Sequence, residues 1–182
     1  MNLPNKLTML RIILIPVFLV FVLVEAIPLH YLWALVVFLA ACFTDTLDGR
    51  IARSRGLVTD FGKLMDPLAD KLLVMSALVA FIPVAGVPVW VVVLILGREF
   101  MVTSLRLIAA GKGVVIAADK WGKIKTISQM VWLNYTLLYL WIAPEKELAH
   151  GLFLVLMGVV VLTTVASGFN YMWKNRSLYS EK

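Results

Sequence analysis

Apolar residues run along this chain in six stretches of roughly 20 positions, separated by short connectors that carry most of the charge. A stretch of that length, wound as a helix, matches the ~30 Å hydrocarbon core of a bilayer. The pattern predicts helices over Thr8–Val24, Tyr31–Arg53, Phe61–Pro83, Pro88–Ala109, Trp121–Ala143 and Leu148–Trp173. No alternating strand pattern competes with it. The first stretch also has a signal-peptide outline, with Lys6 and Arg11 before an apolar run that ends near Val24-Glu25-Ala26. Pro16 interrupts that run, and the polar residues before it have a better use.

Composition sharpens the picture. Of 182 residues, 62% are hydrophobic, where a soluble domain has about 45–50%. One small soluble core could not hide that much apolar surface, and a disordered chain would be far more polar. The expected fold is therefore an all-α integral membrane protein with six transmembrane helices, forming a single domain over residues 1–182. The single cysteine, Cys42, excludes a disulfide framework and multi-cysteine zinc sites. Lying in an apolar run, it reads as a small core residue. Glu25 and His30 in the first outer loop read as solvated groups, and His150 as an interfacial residue.

The net charge of +6 could suggest nucleic acid, yet no RNA- or DNA-binding motif is present. Its distribution explains it better. Lys6 and Arg11 lie at the start, and Arg50, Arg53, Arg55 and Lys63 surround the second turn. Arg106, Lys112, Lys120, Lys123 and Lys125 surround the fourth, and Lys174, Arg176 and Lys182 close the chain. The other three loops share Lys146 alone. With an even number of spans, this bias puts both termini in the cytoplasm.

Against that background, four carboxylates inside or at the ends of spans stand out: Asp45, Asp48, Asp66 and Asp70. At about 100° per residue, Asp45, Asp48, Gly49 and Ala52 share an arc of roughly 100° on the second helix. Gly62, Asp66 and Asp70 span about 80° on the third. A short connection makes these helices neighbours, so two acidic faces can meet near their cytoplasmic ends. Four like charges sharing a partly buried site would raise one another's pKa values and partly neutralise. A pair of divalent cations resolves that conflict, and all-oxygen ligation favours Mg2+ or Mn2+. Pairing with Arg50, Arg53, Lys63 or Lys71 explains single acids but not matched acidic faces. Asp-x-x-Asp-Gly lacks the spacing and terminal Glu of an EF-hand.

At these residues the chain resembles the CDP-alcohol phosphotransferase family. Its signature, Asp-x2-Asp-Gly-x2-Ala-Arg-x8-Gly-x3-Asp-x3-Asp, is matched at every fixed position from Asp45 to Asp70. The opening Leu3-Pro4-Asn5-Lys6-Leu7-Thr8-Met9-Leu10-Arg11 is similar to that of the family's bacterial phosphatidylglycerophosphate-forming branch. So are Gly97-Arg98-Glu99-Phe100, Ser104-Leu105-Arg106, Ala117-Ala118 and Gly122-Lys123-Ile124-Lys125-Thr126. The resemblance implies a homodimer in the bacterial cytoplasmic membrane with a two-metal site facing the cytoplasm. It implies attack by an alcohol on the phosphate of CDP-diacylglycerol, with release of CMP.

By the same resemblance, Asp45 and Asp66 bridge the two cations, Asp48 joins one and Asp70 the other, and Asp70 is the general base. A carboxylate beside cations is a weak base, so lowering of the alcohol's own pKa would share that task. Asn5, Thr8, Gly49, Arg53 and Thr59 are the implied contacts for CDP-diacylglycerol. Arg53 makes physical sense there, since guanidinium forks match phosphate oxygens; a snorkelling loop arginine is the alternative.

The expected acceptor is sn-glycerol 3-phosphate. A phosphorylated acceptor needs a cationic pocket, and Arg106, Lys123 and Lys125 are the candidates. Arg98, eight residues before Arg106, lies about 80° around the helix and ~12 Å away. It suits pairing with a carboxylate such as Glu99 on a neighbouring helix or protomer. Serine, inositol phosphate and phosphatidylglycerol are the rival acceptors within the family. An ion transporter would also carry intramembrane acids, but here they cluster toward one side and no matched pair of interrupted helices is evident. Small residues in the third span, Gly62, Ala69, Ser76 and Ala77, would permit close helix contact either between protomers or within one.

Overall fold

The computed structural model describes residues 3–54, 60–114, 116 and 119–176, with side chains described at 5–44, 62, 65–114, 116 and 119–176. Six helices follow one another: α1 Leu3–Leu23, α2 His30–Ser54, α3 Asp60–Ala85, α4 Val89–Gly111, α5 Lys120–Ile142 and α6 Glu147–Lys174. Each expected apolar stretch became one helix, with ends displaced by a few residues. The largest shift is at α1, which starts at Leu3 and takes in the polar opening. Among the described residues, Asn5–Leu23, Met65–Ala85 and Glu147–Lys174 are long and apolar enough to cross a membrane, and His30–Thr44 is a shorter apolar stretch. Helix α4 has 23 residues, a spanning length, but carries Arg98, Glu99 and Arg106 within it.

The chain divides into two compact units, Met1–Gly86 with Leu140–Ile142 and Val87–Tyr139 with Ala143–Lys182. In the first, α1 packs on both α2 and α3. Its buried positions are Asn5, Thr8, Arg11, Ile15, Phe18 and Val22. Spaced by three and four, they form one continuous stripe. That stripe is polar through the first turns and apolar beyond. Buried Ala34, Phe38 and Ala41 of α2 share this core with Ala69, Leu73 and Ala77 of α3. The Phe18 and Phe38 rings lie 5.6 Å apart, centroid to centroid. Gly62, Ala69 and Ala77 are thus buried inside the protomer, which uses their small size for packing of its own. Cys42 is only half-buried beside Ala41.

Turn chemistry ends the helices. After α1, Leu29 takes φ 56°, and the ring of His30 donates from Nδ1 to the Phe21 carbonyl at 3.0 Å. His30 is therefore a half-buried clip between α1 and α2 rather than a solvated loop group. Helix α4 stops in a Schellman arrangement: Val114 N–H donates to Ala109 O at 2.8 Å and Gly113 N–H to Ala110 O at 3.0 Å. Gly113 holds φ 72°, the left-handed conformation that this cap requires.

In the second unit α4 packs on α6. Helix α5 joins α6 through Trp132 and Phe153, whose centroids are 6.0 Å apart, and through the Ser128 and Thr163 hydroxyls, 3.0 Å apart. The Tyr135 hydroxyl donates to the Ala149 carbonyl at 2.9 Å, fastening the α5–α6 turn. His150, exposed, lies 3.3 Å from the Tyr139 hydroxyl, in keeping with an interfacial position.

Phe38 fills space between helices, so truncating it leaves a cavity that a rigid bundle closes poorly. Phe38→Ala is expected to cost about 3 kcal/mol and lower the melting temperature in detergent. Leu162→Ala, at a side chain 71% exposed, should change stability by less than about 0.5 kcal/mol.

Candidate active site

The acidic half of the expected site belongs to the first unit. Asp66 and Asp70 lie one turn apart near the start of α3, about 40° around the helix and ~6 Å along it. Asp66 is half-buried and Asp70 exposed. The Thr8 hydroxyl donates to Asp66 Oδ1 at 2.5 Å. That bond ties the polar end of the α1 stripe to the acidic end of α3, and it fixes the carboxylate's rotamer while Oδ2 remains a separate ligand position. Asn5 and Thr8 are 8% and 0% exposed. Thr8 thus reaches the site through an acidic residue rather than through an open surface.

Arg11, which the charge bias counts among the basic residues of the amino-terminal end, is 0% exposed on the same stripe as Asn5 and Thr8. Its spacing, three residues after Thr8, was the available signal. Asp45, Asp48, Gly49 and Arg53 fall within α2 at positions whose side chains lie outside the described residues, and Thr59 lies outside them altogether.

Among the described residues, no group of three or more His, Cys, Asp or Glu comes together. The described pair, Asp66 and Asp70, offers hard oxygen donors a turn apart, one of them held by a hydroxyl. Such carboxylate oxygens fit a hard divalent cation such as Mg2+ or Mn2+.

The cationic residues belong to the second unit, and there α6 organises α4. Arg98 donates from Nε to Ser167 Oγ at 3.1 Å and from Nη1 to Glu99 Oε1 at 2.9 Å. Lys125 Nζ reaches the same Glu99 oxygen at 2.5 Å. Arg98 therefore pairs with the adjacent glutamate of its own helix. Backbones close in along its side chain: a Cβ at Gly122 would lie 3.4 Å from Arg98 Nη2, and one at Gly168 3.4 Å from Cγ. Lys125 is 2% exposed, whereas Arg106 and Lys123 are exposed. Arg106 donates from Nε to the Tyr171 hydroxyl at 3.2 Å.

At the head of α5, Asp119 stands at the N-cap without a side-chain capping bond. Its carboxylate accepts instead from Asn170 and, at 3.2 Å, from Lys174 of α6. Glu99 is the partner the sequence suggests for Arg98, whereas nothing in the sequence marks Ser167 and Tyr171 as holders of the two arginines. Only packing of α6 on α4 reveals them.

Three of the described helical stretches are long and apolar enough to cross a membrane, which makes this a helical membrane protein. The CDP-alcohol phosphatidyltransferase family model matches residues 1–166, and the chain belongs to that family. It is 42% identical to the CDP-diacylglycerol--glycerol-3-phosphate 3-phosphatidyltransferase of Bacillus subtilis (strain 168), over 96% of this chain and 95% of that protein. A probable phosphatidylglycerophosphate synthase of Mycobacterium tuberculosis (strain ATCC 25618 / H37Rv) is 39% identical, over 94% of this chain and 80% of its own length. The CDP-diacylglycerol--glycerol-3-phosphate 3-phosphatidyltransferase of Rickettsia bellii (strain RML369-C) is 35% identical, over 93% of each chain.

Removing the Glu99 carboxylate would leave Lys125 buried beside Arg98 without its counter-charge. Glu99→Ala is expected to destabilise the protein by about 3 kcal/mol, the low end for a broken buried pair, because the Glu99 side chain is 24% exposed. Glu99→Gln, which keeps an acceptor oxygen, should lose less. Thermal unfolding in detergent measures both.

Proposed function

We propose that this chain transfers the phosphatidyl group of CDP-diacylglycerol to sn-glycerol 3-phosphate, forming phosphatidylglycerophosphate and CMP. The carrying observation is similarity over 96% of the chain to a relative bearing that activity in its name, together with an unbroken acidic signature from Asp45 to Asp70. The protein is read as six-spanning, homodimeric and resident in the bacterial cytoplasmic membrane, with both termini and the acidic site on the cytoplasmic side.

In this reading Asp45, Asp48, Asp66 and Asp70 hold two divalent cations, Mg2+ or Mn2+. When bound, these supply charge stabilisation on the pyrophosphate and on departing CMP. Thr8, expected among the nucleotide contacts, contributes by keeping Asp66 in place, and Asn5, Gly49, Arg53 and Thr59 receive the nucleotide and its phosphates. Asp70 takes the proton as the acceptor hydroxyl bonds to the phosphorus of the diacylglycerol phosphate and the bond to CMP breaks.

Arg106, Lys123 and Lys125 are assigned to the acceptor's phosphate. Arg106 and Lys123 are exposed cations, suited to a soluble dianion. Lys125 already shares Glu99, so the phosphate would have to share or replace that carboxylate. The alternative acceptors, serine above all, would need no such group of cations.

The test is turnover by the purified full-length protein in detergent. CMP should appear only with CDP-diacylglycerol, glycerol 3-phosphate and a divalent cation together, and chelation should stop it. Phosphatidylserine or phosphatidylinositol phosphate as the product would overturn the acceptor assignment. Asp66→Asn, Asp45→Asn or Asp70→Asn should reduce turnover to background in a protein that still folds, and Asp48→Asn should impair it severely. Arg106→Ala should raise the KM for glycerol 3-phosphate about tenfold to a hundredfold, as expected for loss of a hydrogen-bonded charge worth roughly 1.5–3 kcal/mol. Its KM for CDP-diacylglycerol should stay near the wild-type value.

A further inference from the structure

We propose that Tyr171 is a positioning residue for acceptor recognition, holding the Arg106 guanidinium in the orientation that receives the acceptor's phosphate. This rests on the assignment of Arg106 to that phosphate and names the residue that makes it selective.

An exposed arginine has many rotamers, and a ligand that fixes one of them loses affinity to the entropy of doing so. Arg106 does not start from that freedom. Its Nε donates to the Tyr171 hydroxyl at 3.2 Å, and its guanidinium carbon lies 5.8 Å from the centroid of the same ring. One tyrosine therefore restrains the group twice, by a directional bond and by its π face.

The tyrosine is itself immobile. It is 3% exposed and packs in one cluster with Val102 and Leu105, with Ile116 and Met172 against it. Val102 and Leu105 belong to α4, the helix that carries Arg106. The hydroxyl that orients the arginine is thus locked to the arginine's own helix, though Tyr171 belongs to α6. Because the bond uses Nε, the two terminal amino groups keep the planar fork that matches two phosphate oxygens.

Arg98 shows the same device put to another end. Its Nε also donates to a hydroxyl of α6, that of Ser167, four residues before Tyr171. There the fork is taken up by Glu99, and the side chain is 10% exposed. Where the glutamate takes the fork the arginine is structural. Where the arginine is exposed it can bind.

The experiment is steady-state kinetics on full-length Tyr171→Phe, Arg106→Ala and the double variant in detergent, with thermal stability recorded for each. Phenylalanine keeps the ring and the packing and removes the hydroxyl alone. Tyr171→Phe is expected to raise the KM for glycerol 3-phosphate about fivefold to tenfold, with kcat and the KM for CDP-diacylglycerol within about twofold of wild type. In the double variant the Tyr171→Phe effect should vanish, leaving the KM of Arg106→Ala.

An unchanged KM in Tyr171→Phe, where Arg106→Ala raises it, would overturn the role of Tyr171 and spare that of Arg106. An unchanged KM in Arg106→Ala would overturn the Arg106 assignment and this proposal with it. A fall in stability with both KM values rising together would make Tyr171 a packing residue and overturn the proposal. So would an additive double variant.

Discussion

An ionisable side chain on a helix of spanning length has to find a partner, and this requirement governs where the helices of this protein can lie. Hydrocarbon offers such a group no hydrogen bond, so the chain must supply one. The Thr8–Asp66 bond meets the requirement in the first unit. Through it the amino-terminal turns of α1 and α3 are held in one register, and the apolar stripe from Ile15 to Val22 follows. In the second unit the shared Glu99 oxygen meets it for Arg98 and Lys125.

Polar pairing and apolar packing therefore run on the same helical faces. On α1 the stripe changes character along its length without changing direction. Asn5, Thr8 and Arg11 continue the line of Ile15, Phe18 and Val22. A chemical site placed there inherits the rigidity of the packed helices beyond it, which suits a reaction that depends on positioning more than on covalent chemistry. Helix α6 does a related task for α4, since Ser167 and Tyr171 each accept from an arginine Nε. The Arg106 guanidinium is thereby held in one orientation, and an anion that met it there would lose less entropy on binding.

The placement of the acids and of the cations is legible in the sequence to unequal degrees. Asp66 and Asp70 were legible because a carboxylate in an apolar span is conspicuous and their four-residue spacing sets their common face. Arg106 was legible as a candidate for a similar reason. Lys125 was expected beside the acceptor phosphate, and it lies buried against Glu99, because nothing local to Gly122–Thr126 tells which of two lysines turns inward. Arg11 fits the basic bias of the amino-terminal end, yet its periodicity with Asn5 and Thr8 puts it on the buried stripe.

The sequence by itself determined six helices, their approximate ends, the membrane setting and the family, because hydrophobic periodicity and an ordered set of acidic and glycine positions are local properties of the chain. Tertiary structure decided which polar groups hold which. That Thr8 secures Asp66, Glu99 joins Arg98 to Lys125, and Tyr171 restrains Arg106 depends on contacts between residues 58, 26 and 65 positions apart in the chain. The physical reason is that a hydrogen bond has a range of about 3 Å, so a partner far along the chain becomes visible only once packing has brought its helix alongside.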